Sequence, residues 1–222
     1  MMIWKSDIMC DKISPMQMKE EKELVALFMG RSYERGLTTS TGGNLSFRKG
    51  SIMLITPSGL DKSSLKAEDI AEVDIETGKN LTPDKKLSIE TEMHRLIYLK
   101  RPDCLSVMHS HPTFCCLYSA SNESIDTTLI AESWYLLDRV VKVPYALMGT
   151  KELAERVSDY AAKGGNAFLL ENHGALCIGK SPLNAFDRLE CLEQAAKLSA
   201  LSHLVKAEGI EEKERKRIAA MR

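Results

Sequence analysis

Short apolar segments of strand length, divided by glycine- and proline-marked turns and set between longer stretches of helical period, constrain this chain most. Segments 45–47, 52–56 and 70–74 are punctuated by Gly50, Pro57-Ser58-Gly59 and Thr77-Gly78. Further strands are expected at 104–109 and 139–143, and a strand pair at 167–171 and 175–178 flanks Asn172-His173-Gly174. The spacing of Leu24, Val25, Leu27 and Phe28 predicts a helix over 15–35, with Gly36 as its stop. A second helix is expected over 88–99, with Ser88 as N-cap and Met93, Leu96 and Ile97 facing inward. A third is expected over 150–163. A long fourth, 182–206, carries Leu183, Phe186, Leu189, Leu192, Ala196 and Leu201 at helical spacing, and Pro182 suits its first turn. Hairpin-like strand pairs with helices at the start, middle and end predict an α/β fold with a mostly antiparallel sheet covered by helices.

A chain of 222 residues that is 44% hydrophobic can bury one sizeable core, so a single domain over 1–222 is the simplest organisation. The ends, 1–14 and the mostly charged 209–222, are expected to be flexible. A net charge of −1 leaves no electrostatic footprint for nucleic acid or an anionic membrane. Lys5, Asp7 and Asp11 interrupt the first residues, which rules out an apolar region of signal-peptide length there, and no stretch approaches a membrane span. Six cysteines (10, 104, 115, 116, 177 and 191) are scattered without a CxxC pair. They read as free thiols in a reducing, cytoplasmic protein.

The chemistry concentrates at His109-Ser110-His111, which closes the apolar run Leu105-Ser106-Val107-Met108. Residues two apart on a strand share a face, so two imidazoles there can grip one cation. His173 follows another apolar run, Ala167-Phe168-Leu169-Leu170, and a carboxylate, Glu90, lies upstream. Three imidazoles and a carboxylate suit a divalent transition metal, and three protein ligands with a free position make the catalytic form of such a site. Zn²⁺ fits the set best, while Mn²⁺, Fe²⁺ or Co²⁺ would use the same ligands. His94 follows Glu90 by one helical turn and reads as a packing group beside the site, and His203 as a surface residue.

Ser40-Thr41-Gly42-Gly43-Asn44-Leu45-Ser46, Leu54-Ile55-Thr56-Pro57-Ser58-Gly59, Ser88-Ile89-Glu90, Arg101-Pro102-Asp103, His109-Ser110-His111 and Glu171-Asn172-His173-Gly174 occur in order along the chain. In sequence and spacing they resemble the class II aldolase/adducin family, over residues 36–201. The resemblance implies a sheet between helical layers, a homotetramer and one divalent metal per subunit. It implies His109, His111 and His173 as metal ligands that polarise a substrate carbonyl and hydroxyl. Glu90 would be the catalytic acid/base, touching the metal when no substrate is present. Gly43, Asn44, Ser58, Gly59 and Ser88 would cradle the substrate phosphate through backbone N–H groups and small polar side chains. The implied reaction is retro-aldol cleavage of a ketose 1-phosphate, an L-fuculose 1-phosphate or a deoxypentulose 1-phosphate, to dihydroxyacetone phosphate and a small aldehyde.

Two departures qualify this. The family's second serine before the catalytic glutamate is Ile89 here. The tyrosine that a neighbouring subunit contributes as proton donor to the aldehyde in the condensation direction is replaced by Ile130, with Tyr135 the nearest substitute, and no tyrosine follows Tyr160 to match a further one in the family's tail. Sugar-phosphate 4-epimerisation, as on L-ribulose 5-phosphate, is the main alternative, with decarboxylation and dehydration behind it. A non-catalytic adducin-like module is disfavoured because it has no need of Glu90.

Overall fold

A computed structural model of the chain describes residues 18–222. Seven strands form one sheet: β1 (Asn44–Lys49), β2 (Ile52–Ile55), β3 (Ala71–Asp74), β4 (Ser106–Ser110), β5 (Val140–Val143), β6 (Ala167–Leu170) and β7 (Gly174–Gly179). Their order is β3-β2-β1-β4-β7-β6-β5. Only the edge pair β5–β6 is parallel; the other pairings are antiparallel. The expected α/β architecture with a mostly antiparallel sheet is therefore present.

Helices cover both faces, and strand alternation decides which residue meets which layer. Leu54, Met108, Leu169, Ala175 and Cys177 pack with α1 (Lys19–Glu34), α3 (Thr113–Ser119) and α6 (Pro182–Val205). Their neighbours Met53, Ile55, Val107, Phe168, Leu170, Leu176 and Ile178 pack on the opposite face with α2 (Thr91–Lys100) and α5 (Lys151–Ala162). Strands β2, β4, β6 and β7 thus bury apolar residues on both faces, as a sheet between two helical layers requires.

Three local expectations change. The second helix begins at Thr91, so Ser88 is not its N-cap; the Ser88 hydroxyl instead accepts from the Asn44 amide at 3.1 Å. Two short helices, α3 and α4 (Ala131–Leu137), occupy segments without a predicted element. The charged tail, expected to be flexible, carries α7 (Glu212–Ala219), whose Arg215 carbonyl accepts from Trp134 Nε1 at 2.9 Å. The expected start of α1 at residues 15–17 and the end 1–14 lie outside the described residues. Cys104, Cys115, Cys116, Cys177 and Cys191 are free, and no helix among the described residues is long and apolar enough to cross a membrane.

Candidate metal centre and substrate cleft

Asn44 of β1 lies opposite His109 of β4, and both share the sheet face of Val107, over which α2 runs. The chain leaves β4 at Ser110, so His111 stands just beyond the sheet, before Pro112 opens α3. His173 lies in the β6–β7 turn, where its backbone N–H donates to the Leu170 carbonyl at 3.0 Å and Asn172 takes the left-handed conformation (φ 50°). Gly174 follows because nothing larger fits. A Cβ there would lie 2.6 Å from the Ser110 carbonyl oxygen and 2.8 Å from His111 Cδ2.

These placements bring the ligand atoms of His109, His111 and His173 within 4.8 Å of one another. His109 Nε2 is 3.1 Å from His111 Nε2. Glu90, immediately before α2, reaches into the same spot, with Oε2 3.3 Å from His109 Nε2 and Oε1 3.2 Å from His173 Nε2. Asn44 Nδ2 donates to Glu90 Oε2 at 2.7 Å and so fixes the carboxylate. His109 Nδ1 lies 2.9 Å from the Ala175 carbonyl. That oxygen only accepts, so it selects the Nδ1–H tautomer and leaves the Nε2 lone pair facing the cluster.

Burial pushes the pKa of His109 down to about 3, although Glu90 pulls it up, and burial likewise lowers that of His111. Burial also works against the charge on Glu90, but His109, His173 and the Asn44 amide hold its pKa well below the usual carboxylate range. Glu90 is thus held as an anion beside the imidazoles, and its Oε1 is buried without a hydrogen-bond donor. A divalent cation would satisfy all of these atoms, so the donor set fits one.

His94 stays outside this group. Its wholly buried ring meets the Ser46 hydroxyl through Nδ1 at 2.7 Å, and burial pushes its pKa down to about 3. His203 is exposed near the end of α6.

A cleft opens beside the cluster, lined by Gly43, Asn44, Ser58, Ser88, Glu90, His111 and His173. Gly43 needs its glycine: φ is +64°, and a Cβ would lie 2.8 Å from the His109 carbonyl oxygen. Gly59 (φ +78°) makes the turn after Ser58 but is not among the lining residues. Ile89 and Met148 also line the cleft, as does Lys62, which sequence reasoning missed. Ile130 and Tyr135 do not line it; Ile130 faces an apolar groove with Leu201 and Val205, and the Tyr135 hydroxyl lies 3.5 Å from the Met221 carbonyl.

The chain is similar to several known proteins. An L-fuculose phosphate aldolase of Methanocaldococcus jannaschii is 34% identical over 78% of this chain and 92% of its own length. A 3-oxo-tetronate 4-phosphate decarboxylase of Haemophilus influenzae is 37% identical over 80% and 86%, and a 5-deoxy-D-ribulose 1-phosphate aldolase of Bacillus thuringiensis is 31% identical over 82% and 85%. A solved L-fuculose 1-phosphate aldolase superposes with a TM-score of 0.81 at 30% identity, over 91% of this chain and 95% of that one. Residues 23–200 match the model of the class II aldolase and adducin N-terminal domain, and the chain belongs to that family.

Proposed function

We propose that this protein is a metal-dependent aldolase that cleaves a ketose 1-phosphate to dihydroxyacetone phosphate and a small aldehyde. The observation that carries the reading is the Glu90 carboxylate, buried between His109 and His173, oriented by Asn44 and open to a cleft walled by Ser58 and Ser88. A protein used only for binding would gain nothing from keeping an ionised carboxylate there. His109, His111 and His173 hold the cation, with Zn²⁺ the best fit to the donors. When bound, it supplies Lewis-acid polarisation of the substrate carbonyl and hydroxyl. Glu90 holds and returns the proton that moves between the substrate hydroxyl and carbon. Gly43, Asn44, Ser58 and Ser88, with the turn at Gly59, hold the phosphate.

Ile130 at the aldehyde-end position supports a less polar pocket for the leaving group, and therefore a deoxypentulose 1-phosphate over L-fuculose 1-phosphate. A site without a polar partner strips the substrate hydroxyl of its water hydrogen bonds and returns none. The likeness to the Bacillus thuringiensis enzyme supports the same choice. The reading includes a homotetramer, as the family resemblance implies. The free cysteines support a reducing, cytoplasmic setting.

A screen of ketose 1-phosphates with coupled detection of dihydroxyacetone phosphate tests the reading. We expect kcat/KM for a 5-deoxypentulose 1-phosphate at least equal to that for L-fuculose 1-phosphate. The likeness to the Haemophilus influenzae enzyme favours one second reading, decarboxylation of a sugar-acid phosphate. Release of CO₂ from such a substrate, with no ketose phosphate cleaved, would replace the aldolase assignment.

A further inference from the structure

The cleft contains a buried cation that none of the sequence motifs accounts for. Lys62 opens the short turn 62–64, four residues after Ser58, and its side chain is 1% exposed. Its backbone N–H donates to the Ser40 carbonyl at 2.8 Å, and its ammonium donates to the Pro57 carbonyl at 2.9 Å. Lys62 therefore ties together the two glycine turns, 40–44 and 57–59, that wall the cleft. The ammonium carries three N–H donors, and Pro57 takes one. Among the lining residues it is the only Lys or Arg.

Burying an ammonium without a counter-ion is costly, and burial pushes Lys62 down to about 8. Glu90 is held by Asn44 and faces the imidazoles, and Asp61 turns outward to cap its own turn through Ser63 at 3.0 Å and 2.9 Å. Among the described residues, no carboxylate is hydrogen-bonded to the Lys62 ammonium. In the same lining, the position where the family carries a second serine is Ile89, which offers no hydroxyl. The cradle thus has a spare cation and lacks one neutral donor, an exchange that suits a dianion.

We propose that Lys62 is a substrate-binding residue whose ammonium pairs with the terminal phosphate of a sugar phosphate, replacing the contact that Ile89 cannot make. This rests on the sugar-phosphate reading of the cleft but not on which bond is broken. A charge-assisted contact of this kind is stronger than a neutral serine hydrogen bond. It selects for the phosphate monoester over the free sugar.

The test uses inorganic phosphate and the Zn²⁺-loaded full chain, followed by thermal unfolding, so no turnover is required. Lys62→Met and Lys62→Gln should fold, since removing a buried charge relieves a desolvation cost. Their dissociation constants for phosphate should rise about tenfold or more, with Lys62→Arg in between. Phosphate affinity within twofold of the parent in both neutral variants would overturn the assignment. If neither variant folds, a structure of the parent with inorganic phosphate decides. A phosphate oxygen within hydrogen-bond distance of the Lys62 ammonium upholds the proposal, and a phosphate out of its reach refutes it. Loss of phosphate binding in Lys62→Met, alongside no cleavage of any ketose phosphate, would discard the aldolase reading and keep this one.

Discussion

Glu90 is the residue on which the proposed chemistry turns. Its Oε2 is held by Asn44 at 2.7 Å, while Oε1 has no hydrogen-bond donor. Glu90→Gln preserves size and the fixed end of the side chain but removes the charge and the base. Activity should fall on the order of a hundredfold or more, the scale of general acid–base catalysis, with bound metal and unfolding temperature near the parent's. His111→Ala should show the converse, with metal content by elemental analysis strongly reduced and the fold retained. A Glu90→Gln enzyme of parental activity, or a His111→Ala protein with full metal, would remove the respective role. His109 and His111 are legible in the sequence as a local pair at a strand end, and His173 as the residue of a marked turn, but their convergence with Glu90 joins distant segments that no local pattern reports. Lys62 was not legible, because Leu60-Asp61-Lys62-Ser63-Ser64 has the composition of a solvated loop. Its burial follows from Ser40 and Pro57, contacts that no local pattern reports.

Among the elements, the inner strands β6 and β7 were legible because both faces are buried, giving continuous apolar runs such as Ala167–Leu170 between turn residues. Ser88 misled for a physical reason: its hydroxyl, the right chemistry for a helix cap, is engaged by Asn44 and by the Glu90 backbone N–H at 3.3 Å. Helices α3 and α4 are seven residues each, too short for a helical period to stand out. The tail helix α7 has no buried residue, and a helix of eight residues is marginal alone in water. Contacts with α4 hold it in place. Trp134 Nε1 donates to the Arg215 carbonyl, and the Arg215 and Arg222 guanidinium groups lie 5.6 Å and 5.3 Å from the Trp134 ring. Arg222 also pairs with Asp138 at 2.9 Å. Trp134→Ala should therefore release α7. In hydrogen exchange, amides in 212–219 should lose about tenfold or more of their protection, while β4 and β7 keep theirs. Unchanged protection in α7 would mean that α4 does not hold it.

At the scale of the whole molecule, the cleft beside Glu90 is lined by Ile89 and Met148 but by neither Ile130 nor Tyr135. In the proposed reading, a neighbouring subunit therefore completes the aldehyde end. Ile130, at the position from which the family sends a side chain into a neighbouring subunit, faces away from its own chain's cleft, into an apolar groove with Leu129, Leu201, Leu204 and Val205. Leu204 is 79% exposed and Val205 76%, at the end of a helix that buries Phe186, Leu189 and Leu192. Surface of this kind at the rim of a groove suits contact with a second copy of the chain. Light scattering should give a mass near four times the 24.8 kDa of one chain. Leu204→Glu combined with Val205→Glu would place charges where apolar contact is needed, so this variant should dissociate. Its kcat/KM should fall with assembly although every residue around Glu90 is untouched, because the neighbour no longer closes the aldehyde end. If the double variant remains tetrameric, the groove is not the contact surface. A stable parent monomer with full activity would refute the assembly itself, and the aldehyde would then have to be enclosed by residues of its own chain, of which Met148 is already at the cleft.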